Sequence, residues 1–200
     1  STKPGGTFSR LIKVKRALFI GIALQAFQQF AGINVAMYYS ASVIRMAGFS
    51  ESVSIWFSTL VAGANAFSTV ICLFLIDRVG RRKLLFNSLI GITPALILLG
   101  ISFHFSPGLP SSSSSSSSSS EYPTIDTRTK AWGLVSVASM VIYTLFFATG
   151  MGPIPWAITS EIFPLNLRGA ANGITTTANW SANLIVSMTF LSLLRVLTKQ

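Results

Sequence analysis

Acidic side chains, cysteine and histidine are all scarce in this sequence of 200 residues. It contains five Asp and Glu residues, one cysteine, Cys72, and one histidine, His104. A single cysteine excludes a disulfide bond within the chain. With one histidine and no cluster of metal-ligand residues, the sequence predicts no metal site and no cofactor, and it disfavours an enzyme.

Charged residues as a class are also few. They make up 10% of the chain, against 50% hydrophobic residues. A membrane-spanning helix needs roughly 20 apolar residues, and five stretches of the chain without Asp, Glu, Lys or Arg reach that length. They are 17–44, 52–76, 84–105, 131–160 and 169–194. The sequence therefore predicts an all-α polytopic membrane protein with about five transmembrane helices.

A large soluble bundle of buried helices is the alternative fold. Helices of such a bundle would need polar outer faces to stay in solution. Here the charges lie between the apolar stretches and not along them, which favours the membrane.

The placement of Lys and Arg predicts the orientation, since short cytoplasmic loops retain basic residues during insertion. Basic residues precede the first helix, join the second helix to the third, and lie between the fourth and the fifth. We therefore expect a multi-pass integral protein of the plasma membrane, with its N-terminus in the cytoplasm. The net charge of +10 then reflects topology and contact with the lipid bilayer, and needs no nucleic-acid partner.

The predicted organisation alternates helices with short connections. A basic cytoplasmic segment covers 1–16, cytoplasmic loops cover 77–83 and 161–168, and an outer loop covers 106–130. The helices between them are 17–47, 52–76, 84–105, 131–160 and 169–194. Because an odd number of crossings leaves the end of the chain outside, we expect a truncated chain.

A run of ten serines, Ser111 to Ser120, lies in the predicted outer loop. Such a run cannot bury apolar surface and predicts a disordered linker. Natural low complexity and a substitute for a longer loop both remain open as its origin.

Polar residues recur on one face of the first predicted helix. Gln25, Gln28, Gln29 and Gly32 follow the spacing i, i+3, i+4 and i+7, which places them together. Asn34 would point nearly the opposite way on a straight helix. Either it meets another surface, or the helix is broken near Gly32.

Three further helices carry polar or helix-breaking positions. The second has Asn65, Ser68, Thr69 and Cys72 on one side. The fifth has a stripe of Asn172, Thr176, Asn179, Asn183 and Ser187, with Trp180 beside it. The fourth contains Gly150, Gly152, Pro153 and Pro155 just before Trp156, a run that must interrupt the helix.

Two interpretations of these amides are open. Each could be a helix-to-helix contact worth about 1 kcal/mol, or the set could line an aqueous cavity. The alignment of the whole set, together with a broken helix and a Trp, favours the cavity. Uncharged amides both donate and accept hydrogen bonds and aromatic faces cover C–H surfaces, so such a cavity suits a neutral polyol.

Four segments resemble the sugar porter family of major facilitator transporters, in the family's order. They are Gln28-Gln29-Phe30-Ala31-Gly32-Ile33-Asn34 with Tyr38-Tyr39, then Asp77-Arg78-Val79-Gly80-Arg81-Arg82-Lys83, then Gly152-Pro153-Ile154-Pro155-Trp156, and Ser160-Glu161-Ile162-Phe163-Pro164 with Arg168. The resemblance implies that the five helices match helices 7 to 11 of that fold, hence the C-terminal half, and that an N-terminal half is required.

The resemblance also implies roles for individual residues. Substrate-binding positions are Gln28, Gln29, Asn34, Asn65, Trp156, Asn179, Trp180 and Asn183. Gating positions are Tyr38, Tyr39, Gly152, Pro153 and Pro155. A cytoplasmic charge network matches Asp77, Arg78, Arg81, Arg82, Glu161 and Arg168, although the arginines would anchor the topology in any case.

The substrate expected from the resemblance is myo-inositol or a hexose. Glucose facilitators carry a glutamate at the position of Ala148, and the departure makes the chain look closer to proton-coupled myo-inositol transporters. The expected mechanism is alternating access, with proton coupling inferred from the family only. Two alternatives stay open: a transporter-like nutrient receptor and an inert truncated fragment.

Overall fold

A computed structural model gives the structure and describes residues 11–12, 14–46, 49–105 and 127–197. These residues are mostly helical and contain no strand. The helices are α1 (Lys15–Phe30), α2 (Ile33–Tyr38), α3 (Ser40–Met46), α4 (Glu51–Val79), α5 (Arg81–Phe105), α6 (Thr127–Phe146), α7 (Pro153–Ile162) and α8 (Arg168–Leu197), with a π-helical turn at Phe147–Met151. The predicted serine linker and most of the predicted segments 1–16 and 106–130 lie outside the described residues.

The first predicted helix, 17–47, is divided into three. Helix α1 ends at Phe30, and α2 begins at Ile33. Between them Gly32 has a φ of 82°, in the left-handed region that residues with a Cβ rarely adopt. The regular helix therefore ends before the glycine, and a new helix begins directly after it.

The fourth predicted helix, 131–160, is interrupted where glycines and prolines gather. After α6 the backbone widens into the π-helical turn, and α7 begins with Pro153. Proline lacks a backbone N–H and is tolerated in the first turn of a helix, where that donor would have no partner. The interruption leaves carbonyl groups of the preceding turn available to side chains.

The segment 77–83 was predicted to be a loop, but in the structure it is helical except at one residue. Helix α4 continues to Val79 and α5 begins at Arg81, so only Gly80 separates them, with a φ of 86°. The basic residues are good helix formers, and only the positive φ of the glycine is needed to end one helix and start the next.

The chain divides into two compact units. The first comprises 1–35 and 150–200, and thus α1, α7 and α8. Its apolar core is built around Leu11, Phe163 and Ala171. Gly21 of α1 sits so close to α7 and α8 that a Cβ there would lie 2.9 Å from Thr175 Cγ2. The missing side chain therefore lets α1 approach its neighbours closely.

The second unit comprises 36–149 and contains α3 to α6. Ile44, Val61, Val137 and Met140 form its buried apolar cluster. Two hydrogen bonds add to the packing: Ser68 Oγ donates to the carbonyl of Leu145 at 2.8 Å, and the hydroxyls of Ser102 and Ser136 are 2.7 Å apart. Such hydroxyl contacts are typical of helices that pack in lipid.

Four helical stretches of the described residues are long and apolar enough to span a membrane. They are Lys15–Tyr38, Glu51–Val79, Arg81–Ser102 and Ala131–Ile162. Large apolar side chains are widely exposed along them, as at Phe19, Trp56 and Ile90, which suits contact with lipid. Helix α8 occupies the fifth predicted stretch but is not among the four, and its polar stripe explains a lower apolarity.

Candidate functional site

Three glutamines of α1 form the centre of the candidate site in the first unit. Gln25, Gln28 and Gln29 are all buried, with Gln25 fully inaccessible. Their spacing puts them on one face of the helix, and that face packs against α8 and α7 of the same unit. Buried amides require hydrogen-bond partners, and the partners come from these two helices.

Asn179 of α8 connects the three glutamines. Its Nδ2 donates to Gln25 Oε1 at 2.7 Å and to Gln28 Oε1 at 3.0 Å, and lies 3.2 Å from the Gln25 carbonyl oxygen. Its Oδ1 accepts from Gln29 Nε2 at 2.9 Å. One buried asparagine thus contacts every glutamine of the face, and we call these four residues the amide cluster.

The break at Gly32 brings Asn34 back to the amide cluster. Asn34 Nδ2 donates to Gln29 Oε1 at 2.8 Å, although a straight helix would turn Asn34 away. Gln29 therefore uses both ends of its side-chain amide, one toward α8 and one toward α2.

Gln28 joins the amide cluster to the interrupted backbone before α7. Its Nε2 donates to the carbonyl oxygen of Met151 at 3.0 Å and also to that of Gly152. These carbonyls belong to the stretch where the helical ladder is broken, so a side chain takes the place of the missing backbone donors.

The amide cluster has unequal numbers of donors and acceptors. The Asn179 amide carries two hydrogens but faces three acceptors on Gln25 and Gln28. Gln25 Nε2 is buried and has no hydrogen-bond partner within the described residues. The cluster therefore contains one acceptor more than the Asn179 amide can satisfy and one donor without a partner among the described residues, and it carries no net charge.

Three more of the predicted binding residues lie in the first unit. Asn183 is buried one turn beyond Asn179, and its Oδ1 accepts a long hydrogen bond from Ser187. The rings of Trp156 and Trp180 are both about half exposed, at 42% and 55%. In the described part of the chain, neither indole N–H donates a hydrogen bond to the amide cluster.

Asn65, Tyr38 and Tyr39 belong to the second unit. Asn65 is half-buried, and its backbone carbonyl accepts from Thr69 within α4. Tyr38 is exposed at 60%, while Tyr39 is half-buried. Their roles as binding and gating residues stay predictions.

The residues of the predicted charge network lie at helix ends. Asp77, Arg78, Arg81 and Arg82 flank Gly80 in the second unit and are exposed. In the first unit Glu161 is exposed near the end of α7, and Arg168 is half-buried at the start of α8. The network therefore stays a prediction as well.

Gln25 was absent from the predicted binding set, although its spacing placed it on the polar face. A signal existed: it is the first member of the i, i+3, i+4 series. Its partner on α8 could not be read from spacing within one helix. No group of three or more His, Cys, Asp or Glu suited to a metal occurs in the part of the chain that the structure describes.

Comparison with known proteins identifies the family. The profile of the family described as sugar (and other) transporter matches residues 2–198. The chain belongs to this family. Myo-inositol transporter 1 of Saccharomyces cerevisiae is 36% identical over 183 residues, which are 92% of this chain and 30% of that protein. The proton myo-inositol cotransporter of Homo sapiens is 32% identical and matches 92% of this chain and 38% of that protein.

A solved structure agrees with the family assignment. The major facilitator proton:xylose symporter XylE, bound to 6-bromo-6-deoxy-D-glucose, superposes with a TM-score of 0.69 and 32% identity, over 88% of this chain and 32% of that one. The predicted all-α membrane fold and the resemblance to sugar porters are thereby confirmed. These relatives are transporters and not enzymes. The chain spans about a third of the length of the two curated relatives.

Proposed function

We propose that this chain forms the C-terminal half of a secondary transporter for a neutral polyol, myo-inositol or a hexose. The amide cluster supports the proposal most directly. It is uncharged and offers both donors and acceptors, which suits hydroxyl groups that are themselves both. In addition, two of the similar proteins are named as myo-inositol transporters.

The link between the amide cluster and the broken backbone supports alternating access as the mechanism of the proposed transporter. A polyol hydroxyl that hydrogen-bonds Gln28 competes with the carbonyls of Met151 and Gly152. Binding would then change the restraint on the start of α7, and interrupted helices that contact substrate are typical of secondary transporters. In this proposal the five helical stretches correspond to helices 7 to 11 of the fold.

Uptake of labelled myo-inositol, glucose and fructose tests the substrate class. The assay uses cells that express the chain together with the N-terminal half of a myo-inositol transporter. We expect uptake of one of these solutes with both halves present and none with either half alone. Uptake by this chain alone would contradict the need for a second half. Binding without uptake would instead indicate a receptor, and neither binding nor uptake an inert fragment.

Gln29→Ala tests the binding role of the amide cluster. We expect the KM for the preferred solute to rise by about tenfold, the loss of roughly one good hydrogen bond to the ligand. Thr177→Ala is the control, because Thr177 is exposed on α8 and bonds only within its own helix. Surface expression of both variants is measured, so that loss of protein is not mistaken for loss of binding.

The cytoplasmic position of the N-terminus and the plasma-membrane location belong to the same proposal. Lys15 and Arg16, the Arg81–Lys83 group and Arg168 fall on one side if the helical stretches cross in turn, and basic residues favour the cytoplasm. Labelling of cysteines introduced at Leu165 and at Glu51 in intact cells tests this. An impermeant reagent should modify only the cysteine at position 51.

A further inference from the structure

An apolar groove lies in the second unit where α5 and α6 pack together. Its volume is about 520 Å³, within the range of roughly 300–1,000 Å³ that is typical of small-molecule sites. Its lining residues include none of the amide cluster. The lining includes Asn87, Ile90, Pro94 and Leu98 of α5 and Ile142 and Phe146 of α6.

The groove follows one face of α5 for about the depth of a lipid leaflet. From Asn87 to Leu98 the helix rises by about 16 Å at 1.5 Å per residue, and half of the hydrocarbon core is roughly 15 Å thick. The Arg81–Ser102 stretch is among the four apolar enough to span a membrane. An occupant of the groove would therefore lie in the hydrocarbon layer and must be apolar along most of its length.

A glycine shapes the wall of the groove. A Cβ on Gly91 would lie 2.2 Å from the ring of Phe146, so the ring packs directly on the backbone of α5. Phe146 is nevertheless exposed at 41%. One face of the ring thus contacts α5, and the rest of the ring borders the groove.

One end of the groove is polar and basic. Asn87 is its polar lining side chain, and Lys83 lies four residues earlier, on the same face of α5. Lys83 is exposed, and Arg82 next to it is exposed as well. The segment 77–83 carries four cations against one carboxylate. A group that enters the groove from this end is therefore favoured if it is anionic.

We propose that this groove binds one anionic phospholipid, with its phosphate beside Lys83 and Asn87 and one acyl chain along Ile90, Pro94 and Leu98. The charge of the segment 77–83 favours an anionic headgroup over a zwitterionic one. A soluble anion would use the basic end but not the apolar length, so free phosphate should bind poorly. The site lies outside the proposed polyol-binding residues and does not depend on them.

Photo-crosslinking in nanodiscs tests the proposal. The protein is reconstituted with a small fraction of phosphatidylglycerol that carries a photoreactive group on one acyl chain, and the crosslinked peptides are mapped. We expect labelling to concentrate on α5 around residues 90–98 and on α6 around Ile142 and Phe146. Phosphatidylcholine with the same acyl chain should label these peptides less, and added inorganic phosphate should not compete.

Two pairs of variants separate headgroup from acyl-chain contacts. Lys83→Gln should lower phosphatidylglycerol labelling by about fivefold, which corresponds to one basic side chain near an anionic phosphate, whereas Arg45→Gln elsewhere in the unit should not. Leu98→Trp fills the groove and should lower the labelling. Leu96→Trp is its control, since Leu96 and Leu98 are both exposed at 40% and Leu96 points to another face of α5.

The proposal is overturned if phosphatidylglycerol and phosphatidylcholine label the groove equally and Lys83→Gln has no effect. The groove would then hold bulk lipid only. Labelling that Leu96→Trp and Leu98→Trp reduce equally would also overturn it. Circular dichroism of each variant in the same nanodiscs shows that it is folded. If Leu98→Trp is not folded, Ile90→Trp provides the same test, since Ile90 lines the groove and is exposed at 70%.

Discussion

Gln28 Nε2 donates to the carbonyl oxygen of Met151 at 3.0 Å, where the helical backbone is interrupted before α7. The same amide also reaches the carbonyl of Gly152, while Gln28 Oε1 accepts from Asn179 at 3.0 Å. A single side chain therefore connects the amide cluster to the discontinuous backbone. Through this contact, ligand binding at the amide cluster would change the restraint on the start of α7.

Gln28→Glu should disrupt this contact while it keeps the size of the side chain. The variant retains an acceptor for Asn179 but places a carboxylate oxygen against two carbonyl oxygens. We expect a loss of more than about 3 kcal/mol in stability at neutral pH, because a buried charge without donors costs more than a neutral polar group, and a lower midpoint of thermal unfolding in detergent. The control is Thr177→Ala, which should leave the midpoint unchanged. Equal midpoints for the two variants would contradict the contact.

Gly32→Ala tests the break between α1 and α2. A Cβ at Gly32 meets no atom within 4 Å, so any effect must come from the φ of 82°. We expect a loss of about 1–2 kcal/mol, the penalty of left-handed backbone for a residue with a Cβ. Gly63→Ala is the matched control: its Cβ is also free of contacts, but Gly63 lies inside α4, where alanine is favoured by up to about 1 kcal/mol. Thermal unfolding should shift in opposite directions.

The sequence predicted the helices and the places where polar residues share a face of one helix. The spacing alone predicts that Gln25, Gln28 and Gln29 share one face of their helix. The residue types Gly152 and Pro153 predict the interruption. Spacing cannot show which helix faces another, so the position of Asn179 at the centre of the three glutamines required the structure. Asn34 joins them only because Gly32 adopts a positive φ. The sequence allows this backbone conformation at a glycine but does not determine it.

Two other features depend on backbone detail. The basic residues after Asp77 indicated a loop, yet Arg and Lys are good helix formers, and a single glycine at position 80 is enough to separate α4 from α5. Likewise, the close contact at Gly91 could not be predicted from the sequence, because nothing in the sequence shows that the ring of Phe146 packs against this glycine.

Gly91→Ala should destabilise the second unit through the ring of Phe146. The new Cβ would lie 2.2 Å from the ring, and overpacking of this kind costs about 1–3 kcal/mol. Gly100→Ala on the same helix has no atom within 4 Å of its Cβ and serves as the control. If the clash with the ring is the cause, adding Phe146→Leu should restore most of the loss in a double-mutant cycle measured by thermal unfolding. Additive losses would contradict the contact.

Gln25→Met and Gln29→Met separate the stability of the amide cluster from its binding role. Gln29 satisfies both Asn179 Oδ1 and Asn34 Nδ2, so its loss leaves two polar groups unpaired and should cost about 1–3 kcal/mol. Gln25→Met removes one acceptor, Oε1, which Asn179 uses. It also removes a buried donor, Nε2, that has no partner within the described residues. We therefore expect Gln25→Met to change thermal unfolding by less than about 1 kcal/mol.

The uptake assay then decides whether the Gln25 donor serves the solute. If Nε2 hydrogen-bonds a polyol hydroxyl, Gln25→Met should raise KM by about tenfold at nearly unchanged stability. A variant with unchanged KM and unchanged stability would show that the donor has no role in binding. Because the methionine keeps the length of the side chain, a rise in KM cannot be attributed to a new cavity, and it would assign the Nε2 donor of Gln25, which has no partner within the described residues, to the solute.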